Sequence, residues 1–331
     1  MALQINPSKF PIWLGETELK LGLSQDAQVV RDVTNSQERL IEMLFEGVAR
    51  DQVRLLGASV SMSESETAAF IEKLRPSLLA ESSIKGESNS NDLRFAEIVR
   101  LGLETNQPPG EVLGVRRRQT IAIKELGRTG LNLLRVLTEL GFRDFKTSDY
   151  GVVEKKDLGE LGYPKHLLGV SRLSAARELL AHDNTAGVLS QVYAHDASWI
   201  SVMTATHRLF PHEYQNCDRL LAIEYGLNSV LVTGVLLTGI NPCLGCRDRW
   251  SSESDPNWTG ETIQLKARHD ELDDGISLLA ASALAAKSIC DFVDHGSSGQ
   301  ATEVDVLTRL AKTVSFQFHP ACNCQTSGIG D

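Results

Sequence analysis

This chain is short of positive charge. Its 331 residues carry 33 lysines and arginines against 43 acidic side chains, a net charge of −10. A nucleic-acid partner needs a basic face to neutralise phosphates, so that class is excluded. Long apolar runs are missing too. The longest, Val230–Ile240 and Ile276–Ala286, fall short of the ~20 residues that span a bilayer and read as buried core segments. The first residues lack the charged, apolar, small-residue order of an export signal, which places the protein in the cytoplasm, off the membrane. Internal repeats are absent. Hydrophobic residues make up 42% of the chain, enough for the cores of two domains.

Cysteine is scarce, and four of the six stand in two couples. Cys243 and Cys246 lie in Pro-Cys-Leu-Gly-Cys; Cys322 and Cys324 lie in His-Pro-Ala-Cys-Asn-Cys. In a reducing compartment such spacing points to a closed, structural tetrathiolate zinc site. The alternatives are small buried side chains or, in an exported protein, disulfides. As zinc ligands they clip the C-terminal tail to the body, and metal binding becomes folding energy of ~10 kcal/mol or more. His319 is placed to donate to one of the thiolates. Cys217 and Cys290 read as core packing.

The hydrophobic pattern divides the chain into 1–82, a linker with a short helix over 83–118, and 119–331. Residues 10–14, 19–23 and 28–33 read as short strands. A helix capped by Ser36 follows, with Leu40, Ile41, Leu44, Phe45 and Val48 at helical spacing. A short helix at 51–57 comes next. A third begins after Ser63 or Ser65 and carries Ala68, Phe70, Ile71, Leu74 and Leu78. The result is a small α+β winged-helix-like module. Acids outnumber bases in it and the Ser63–Leu79 helix offers only Lys73 and Arg75 as cations, which argues against a DNA-binding role. The Ser/Asn/Gly-rich segment 81–91 reads as flexible, Pro108-Pro109-Gly110 as a break, and Arg116–Arg118 as a solvated entry to a strand.

Thr120–Ile123 is the first strand of an α/β domain. The turn Gly127-Arg128-Thr129-Gly130 leads to a helix through Leu131, Leu134, Leu137 and Leu140, and a second strand over 142–147 ends at Asp149. This is the first unit of a dinucleotide-type Rossmann sheet, with Gly127 and Gly130 as its second and third glycines and Asp149 as the ribose acid. A plain strand-to-helix turn is the alternative, because Glu125 occupies the place of the first glycine and sets a carboxylate beside any polyphosphate. Residues 199–203 read as a central strand, and 220–225 with 229–236 as a hairpin. His195, His207 and His212 match no ligand spacing and read as a polar loop.

The unit ending at Ser148-Asp149-Tyr150-Gly151-Val152-Val153, with Gly169-Val170-Ser171-Arg172, resembles the ThiF-like, ubiquitin-activating-type fold. Pro242-Cys243-Leu244-Gly245-Cys246-Arg247-Asp248, Asp255-Pro256-Asn257-Trp258, Gln264-Leu265 and His319-Pro320-Ala321-Cys322-Asn323-Cys324 resemble a subgroup found beside genes for peptide natural products. The N-terminal module resembles the PqqD-like leader-recognition domain. The resemblance implies a non-catalytic protein that holds the leader of a ribosomally made precursor peptide and docks a modifying enzyme, often a YcaO-type cyclodehydratase. A homodimer is compatible with it. It places the peptide against the strand bearing Val29, Val30, Arg31 and Val33 and the helix face of Phe70, Ile71 and Leu74. The nucleotide-site positions are Gly127, Arg128, Gly130, Asp149 and Arg172. Adenylating relatives carry two acids where this chain has Thr204-Ala205-Thr206-His207, so ATP is not expected as a cofactor. The rival is an ATP-dependent activating enzyme that adenylates a peptide carboxylate.

Overall fold

The computed structural model describes residues 2–25, 27–79, 95–182, 187–192, 196, 198–214, 217–266, 268 and 271–324. The expected flexible segment 81–91 and His195 lie outside them. The chain falls into two units, Met1–Gly114 and Val115–Asp331.

The first unit contains β1 (Ala2–Leu3), β2 (Pro11–Trp13), β3 (Leu19–Leu21), β4 (Gln28–Val30), α1 (Asn35–Glu46), β5 (Val48–Ala49), α2 (Val53–Ser59), α3 (Glu64–Leu74) and α4 (Phe95–Thr105). Strands β2, β3 and β4 form an antiparallel meander with Lys20 opposite Val29, and β4 is its edge. Period-2 alternation buries Leu19, Leu21 and Val30 against Leu40 and Leu44 of α1 and Phe70 and Leu74 of α3. The first cap differs from expectation. Thr34, not Ser36, starts α1, because Gln37 three residues on reaches back to the Thr34 amide while Thr34 accepts from Gln37. Ser36 has Arg39 at that place, which cannot accept. Ser63 and Glu66 form the same reciprocal cap on α3. On α3 it is Thr67, not Ala68, that turns inward. A Cβ on Gly57 of α2 would lie 2.0 Å from its Oγ1.

Pro109 opens a helix, α5 (Pro109–Arg118), where the break was expected; proline suits a first helical turn because its missing N–H has no partner there anyway. The unit boundary falls within α5. The arginine run is also corrected, since Arg116 is fully buried in the second unit. Its Nε donates to Asp294 Oδ1 at 3.0 Å and its Nη1 to the Leu140 carbonyl at 2.8 Å.

The second unit runs β6 (Thr120–Ile123), α6 (Arg128–Glu139), β7 (Asp144–Thr147), α7 (Arg172–His182), β8 (Val188–Gln191), β9 (Ile200–Thr206), α8 (Pro211–Tyr214), β10 (Arg219–Tyr225), β11 (Ser229–Val232), β12 (Leu236–Leu237), α9 (Leu244–Ser254), α10 (Trp258–Lys266), α11 (Gly275–His295), β13 (Ala301–Asp305) and β14 (Leu310–Val314). Its sheet has the order β14-β13-β11-β10-β9-β6-β7-β8, with β12 paired to β10. Pairing is parallel from β10 to β8 and antiparallel beyond β10. The chain leaves β6 for β7 on one side and returns as β9 on the other. This reversal of direction opens a crevice at the carboxyl ends of β6 and β9. The apolar run at 276–286 lies in α11, whose 21 residues are long and apolar enough to cross a membrane by length and composition. Here Ala281, Ala285 and Ile289 are buried in the sheet's core, and Leu278 is buried as well.

The buried pair generates a stability test. Asp294→Ala leaves the Arg116 guanidinium charged and buried without its partner, and should cost about 3–5 kcal/mol in denaturant unfolding. Arg116→Met with Asp294→Leu should recover most of that loss. A single variant that unfolds like wild type contradicts the account.

Candidate functional site

The crevice holds a cleft walled by Glu125, Gly127, Arg128 and Gly130 from the β6–α6 turn, Thr204–Thr206 from β9, and Lys156, Asp157, Arg172 and Asp273. Gly127 caps α6 in an extended conformation, and the helix's first residues line the opening. Gly130 is dictated by packing, since a Cβ there would lie 2.0 Å from the Glu125 carbonyl oxygen. Thr129 Oγ1 bonds Tyr225 Oη at 2.7 Å and Arg128 Nη1 donates to the Asp273 carbonyl at 2.8 Å. Burial pushes the Glu125 carboxyl above its usual range, with Asp149 adding to the shift and Lys124 and Arg172 opposing it.

Gly127, Arg128, Gly130 and Arg172 therefore share one wall system, while Asp149 lies behind it. Asp149 Oδ2 accepts from the Leu126 amide at 2.7 Å and Oδ1 from the Gly151 amide at 2.6 Å. The side chain ties the end of β6 to the loop after β7. Arg172 Nε and Nη2 donate to Asp157 Oδ2 at 2.9 and 2.8 Å, and Nη1 is 3.6 Å from Asp149. The cation is thus matched by two carboxylates of its own chain. A Cβ on Gly151 would come within 2.9 Å of both Arg172 Nη1 and Asp149 Oδ1. His207 follows β9 with φ 67 and its amide bonds the Tyr225 carbonyl at 2.7 Å.

The four paired cysteines meet at the start of α9. Cys243 caps this helix and Cys246 is fully buried one turn on. Sulfur separations are 3.9 Å for Cys243–Cys246, 3.6 Å for Cys243–Cys322 and 3.3 Å for Cys246–Cys324. A disulfide needs about 2.0 Å. Four sulfurs at about 2.3 Å from a tetrahedral zinc lie about 3.8 Å apart, close to what is found. Soft thiolate donors in this arrangement suit zinc. Burial raises the Cys243 thiol and raises that of Cys324 to about 11. At Cys322 burial is outweighed by hydrogen bonds from the Cys324 amide and the other thiols, and the shift is downward. Among the described residues this is the one group of three or more metal-ligating side chains close enough to share an ion.

His319 does not serve a thiolate. Its Nε2 meets Glu253 Oε1 at 2.9 Å, its Nδ1 accepts from the Ala321 amide at 3.1 Å, and its ring packs edge-on against Trp250. Both ring nitrogens are engaged in seating the tail on α9. His212 stacks near Phe210 at 6.1 Å, and Asp196 accepts from Ser198. Cys290 is buried on α11, and Cys217 packs beside Met203, Leu209 and Leu244.

A buried charge network escaped the sequence reading. Glu224 on β10 accepts from Arg247 Nη2 at 3.1 Å and from the Leu209 amide at 2.8 Å, while Arg247 also bonds Asp248. Arg208 lies 3.3 Å over the Trp258 ring. Thus Arg247 and Trp258, visible in sequence only as motif letters, anchor α9 to the end of β10 and α10 to the segment after β9. Charges 23 residues apart carry no local signal of pairing.

In the first unit Val29 is exposed on edge strand β4, whereas Val30 and Val33 are buried. Arg31 is exposed and paired with Glu18 at 2.8 Å. Phe70 and Leu74 belong to the module's own core, with Ile71 half-buried beside them. Lys73 Nζ donates to the Arg31 carbonyl at 3.2 Å and Gln28 donates to the Lys73 carbonyl, lacing α3 to β4.

No protein-family model matches the sequence, and no curated protein does. Solved structures do. Escherichia coli MccB with ATP superposes with a TM-score of 0.64 at 14% identity, over 98% of this chain and 99% of that one. The microcin C7 biosynthetic enzyme MccB in complex with N-formylated MccA gives 0.63 at 13% identity, over 98% and 100%. PaaA gives 0.59 at 13%, over 81% and 97%. The chain has the fold of MccB.

Two measurements follow. The purified chain should carry one zinc, released as acid reprotonates the thiolates; Cys322→Ser should abolish stoichiometric zinc on metal analysis. Absence of zinc together with four freely titrating thiols in folded protein sinks the site. For Glu125, the folded carboxyl binds its proton more tightly than the unfolded one, so stability falls as pH rises above the unfolded value of about 4.3. Glu125→Gln should therefore raise Tm at pH 7 and leave it unchanged at acid pH. Equal Tm at both pH values would contradict the buried-carboxylate description.

Proposed function

We propose that this protein binds the leader of a ribosomally made precursor peptide and presents it to a modifying enzyme, without adenylating it. The partner of this reading is a YcaO-type cyclodehydratase or another modifying enzyme, and the resident metal is a structural zinc on Cys243, Cys246, Cys322 and Cys324. The first unit acts as a PqqD-like module. Its β4 edge, with Val29 outward, takes the leader as a further antiparallel strand. Backbone hydrogen bonds supply affinity there and side-chain pockets supply specificity. MccB, whose fold this chain shares, has been crystallised with the peptide MccA, which supports a peptide as the ligand.

The observation that carries the absence of adenylation is Asp149. Both of its carboxylate oxygens accept backbone amides of the chain itself, and the side chain is buried rather than part of the cleft wall, which supports a cleft without a ribose acid. Thr204 and Thr206 wall the cleft where acids would hold a magnesium–nucleotide complex. Glu125 adds negative charge beside the helix N-terminus that would receive phosphate. Loss of such transition-state contacts costs about 2.7–4 kcal/mol each in systems where it has been measured.

A second reading, an ATP-dependent activating enzyme, is favoured by the open cleft over the amides of α6 and by ATP in MccB. One experiment separates the two. The full chain is mixed with the precursor encoded beside its gene, and hydrogen exchange and pyrophosphate exchange are both followed. Leader binding should slow exchange at residues 28–33 and along α3, and pyrophosphate exchange should stay at background. Protection confined to residues 125–130 and 204–206, with exchange activity that Asp149→Ala removes, establishes the activating enzyme instead.

A further inference from the structure

The four sulfurs need different neighbours when protonated and when they hold a metal. As thiols they bond to one another along the three edges given above. Around a divalent ion those S–H donors are gone, and four thiolates leave the site with a net negative charge in a half-buried place. Each sulfur then becomes a charge-assisted acceptor, and donors around it govern how well the charge is tolerated. Three backbone amides already face sulfurs: that of Cys246 faces Cys243, that of Cys324 faces Cys322, and that of Cys243 faces Cys324.

One further donor waits beside them. Tyr214, the last residue of α8, has a buried hydroxyl with no hydrogen-bond partner among the described residues. Buried polar atoms are rarely left so. Gly245 marks where this hydroxyl sits. A Cβ on Gly245 would lie 3.4 Å from Cys243 Sγ, 3.6 Å from Tyr214 Oη and 3.9 Å from Cys322 Sγ. Phenol and sulfurs thus border the same small hollow, which glycine leaves open. Burial, and then negative charge on Cys243, disfavours ionisation of the phenol, so it keeps its proton to donate.

We propose that Tyr214 is a positioning residue of the metal site, donating its hydroxyl proton to the metal-bound thiolate of Cys243. The inference rests on the zinc reading of the four cysteines. With the thiols protonated, the Cys243 sulfur bonds its neighbouring thiols and the phenol has no hydrogen-bond partner among the described residues. Metal binding deprotonates the sulfur and supplies one. The bond draws charge from the thiolate, lowers its nucleophilicity, and holds the end of α8 against α9.

The test uses the full chain and Tyr214→Phe, which keeps the ring and its packing. Zinc affinity is read by competition with a chromophoric chelator. Loss of an outer hydrogen bond of this kind weakens metal binding about 10–100-fold, and Tyr214→Phe should fall in that range with an unchanged far-UV spectrum. In cobalt-substituted protein the sulfur-to-metal charge-transfer band should move to lower energy in Tyr214→Phe, because the thiolate is no longer polarised. Labelling the wild-type chain with 3-fluorotyrosine, a stronger donor, should move it the other way, and this measurement stands even where the phenylalanine variant folds poorly. Unmoved bands in the fluorinated protein, or zinc affinity and cobalt spectrum unaltered in a folded Tyr214→Phe, overturn the proposal. Failure of the wild-type chain to take up zinc overturns the metal reading and this inference with it, and is seen before any variant is made.

Discussion

The Asp149 carboxylate is the constraint around which the cleft is organised. A strand that ends in a Rossmann sheet leaves backbone amides in the following turn without ladder partners, and buried amides must be satisfied. Asp149 accepts two of them, from Leu126 before α6 and from Gly151 after β7. One side chain thereby sets the spacing between two loops that border the crevice. Arg172 sits 3.6 Å away and turns its strongest bonds to Asp157. Asp157 in turn caps its own turn through the Glu154 amide. Every charged group in this chain of contacts answers another within the protein.

That closure bears on chemistry. A nucleotide site requires charges that remain available, an acid for ribose and cations for phosphate, and the low-dielectric surroundings that make such charges effective also make unsatisfied ones costly. The chain has kept the geometry that packs a helix onto a sheet. A Cβ at Gly130 would strike the Glu125 carbonyl, a demand of packing whatever the ligand. Glycine spacing in such a turn therefore reports on the fold more securely than on nucleotide binding.

Much of this was legible from local pattern. The meander of the first unit, the β6–α6–β7 unit and the two cysteine couples each announce themselves within a few residues. The convergence of the cysteine couples follows from ligand chemistry, which requires four donors. What was not legible depends on partners distant in sequence or on competition between neighbours. Thr34 outcompetes Ser36 as a cap because of what stands three residues on. Arg116 reads as solvent-facing until Asp294, 178 residues later, is folded against it. His319 reads as a partner of the adjacent thiols, yet Glu253 and the Ala321 amide occupy its ring.

The cysteine site and the cleft are joined by a continuous physical path within the second unit. Thr204–Thr206 wall the cleft at the end of β9, and β9 pairs in parallel register with β10, Glu224 opposite Ala205. Glu224 is bound by Arg247, which directly follows Cys246 on α9. A shift of α9 would pull Arg247 from a buried glutamate whose other hydrogen bond among the described residues comes from the Leu209 amide. Leaving such a carboxylate unpaired is strongly unfavourable. The seat of α9 and the end of β10 must therefore hold or give way together. The start of α9, where the four cysteines meet, is thus tied to the wall of the crevice through a single buried ion pair.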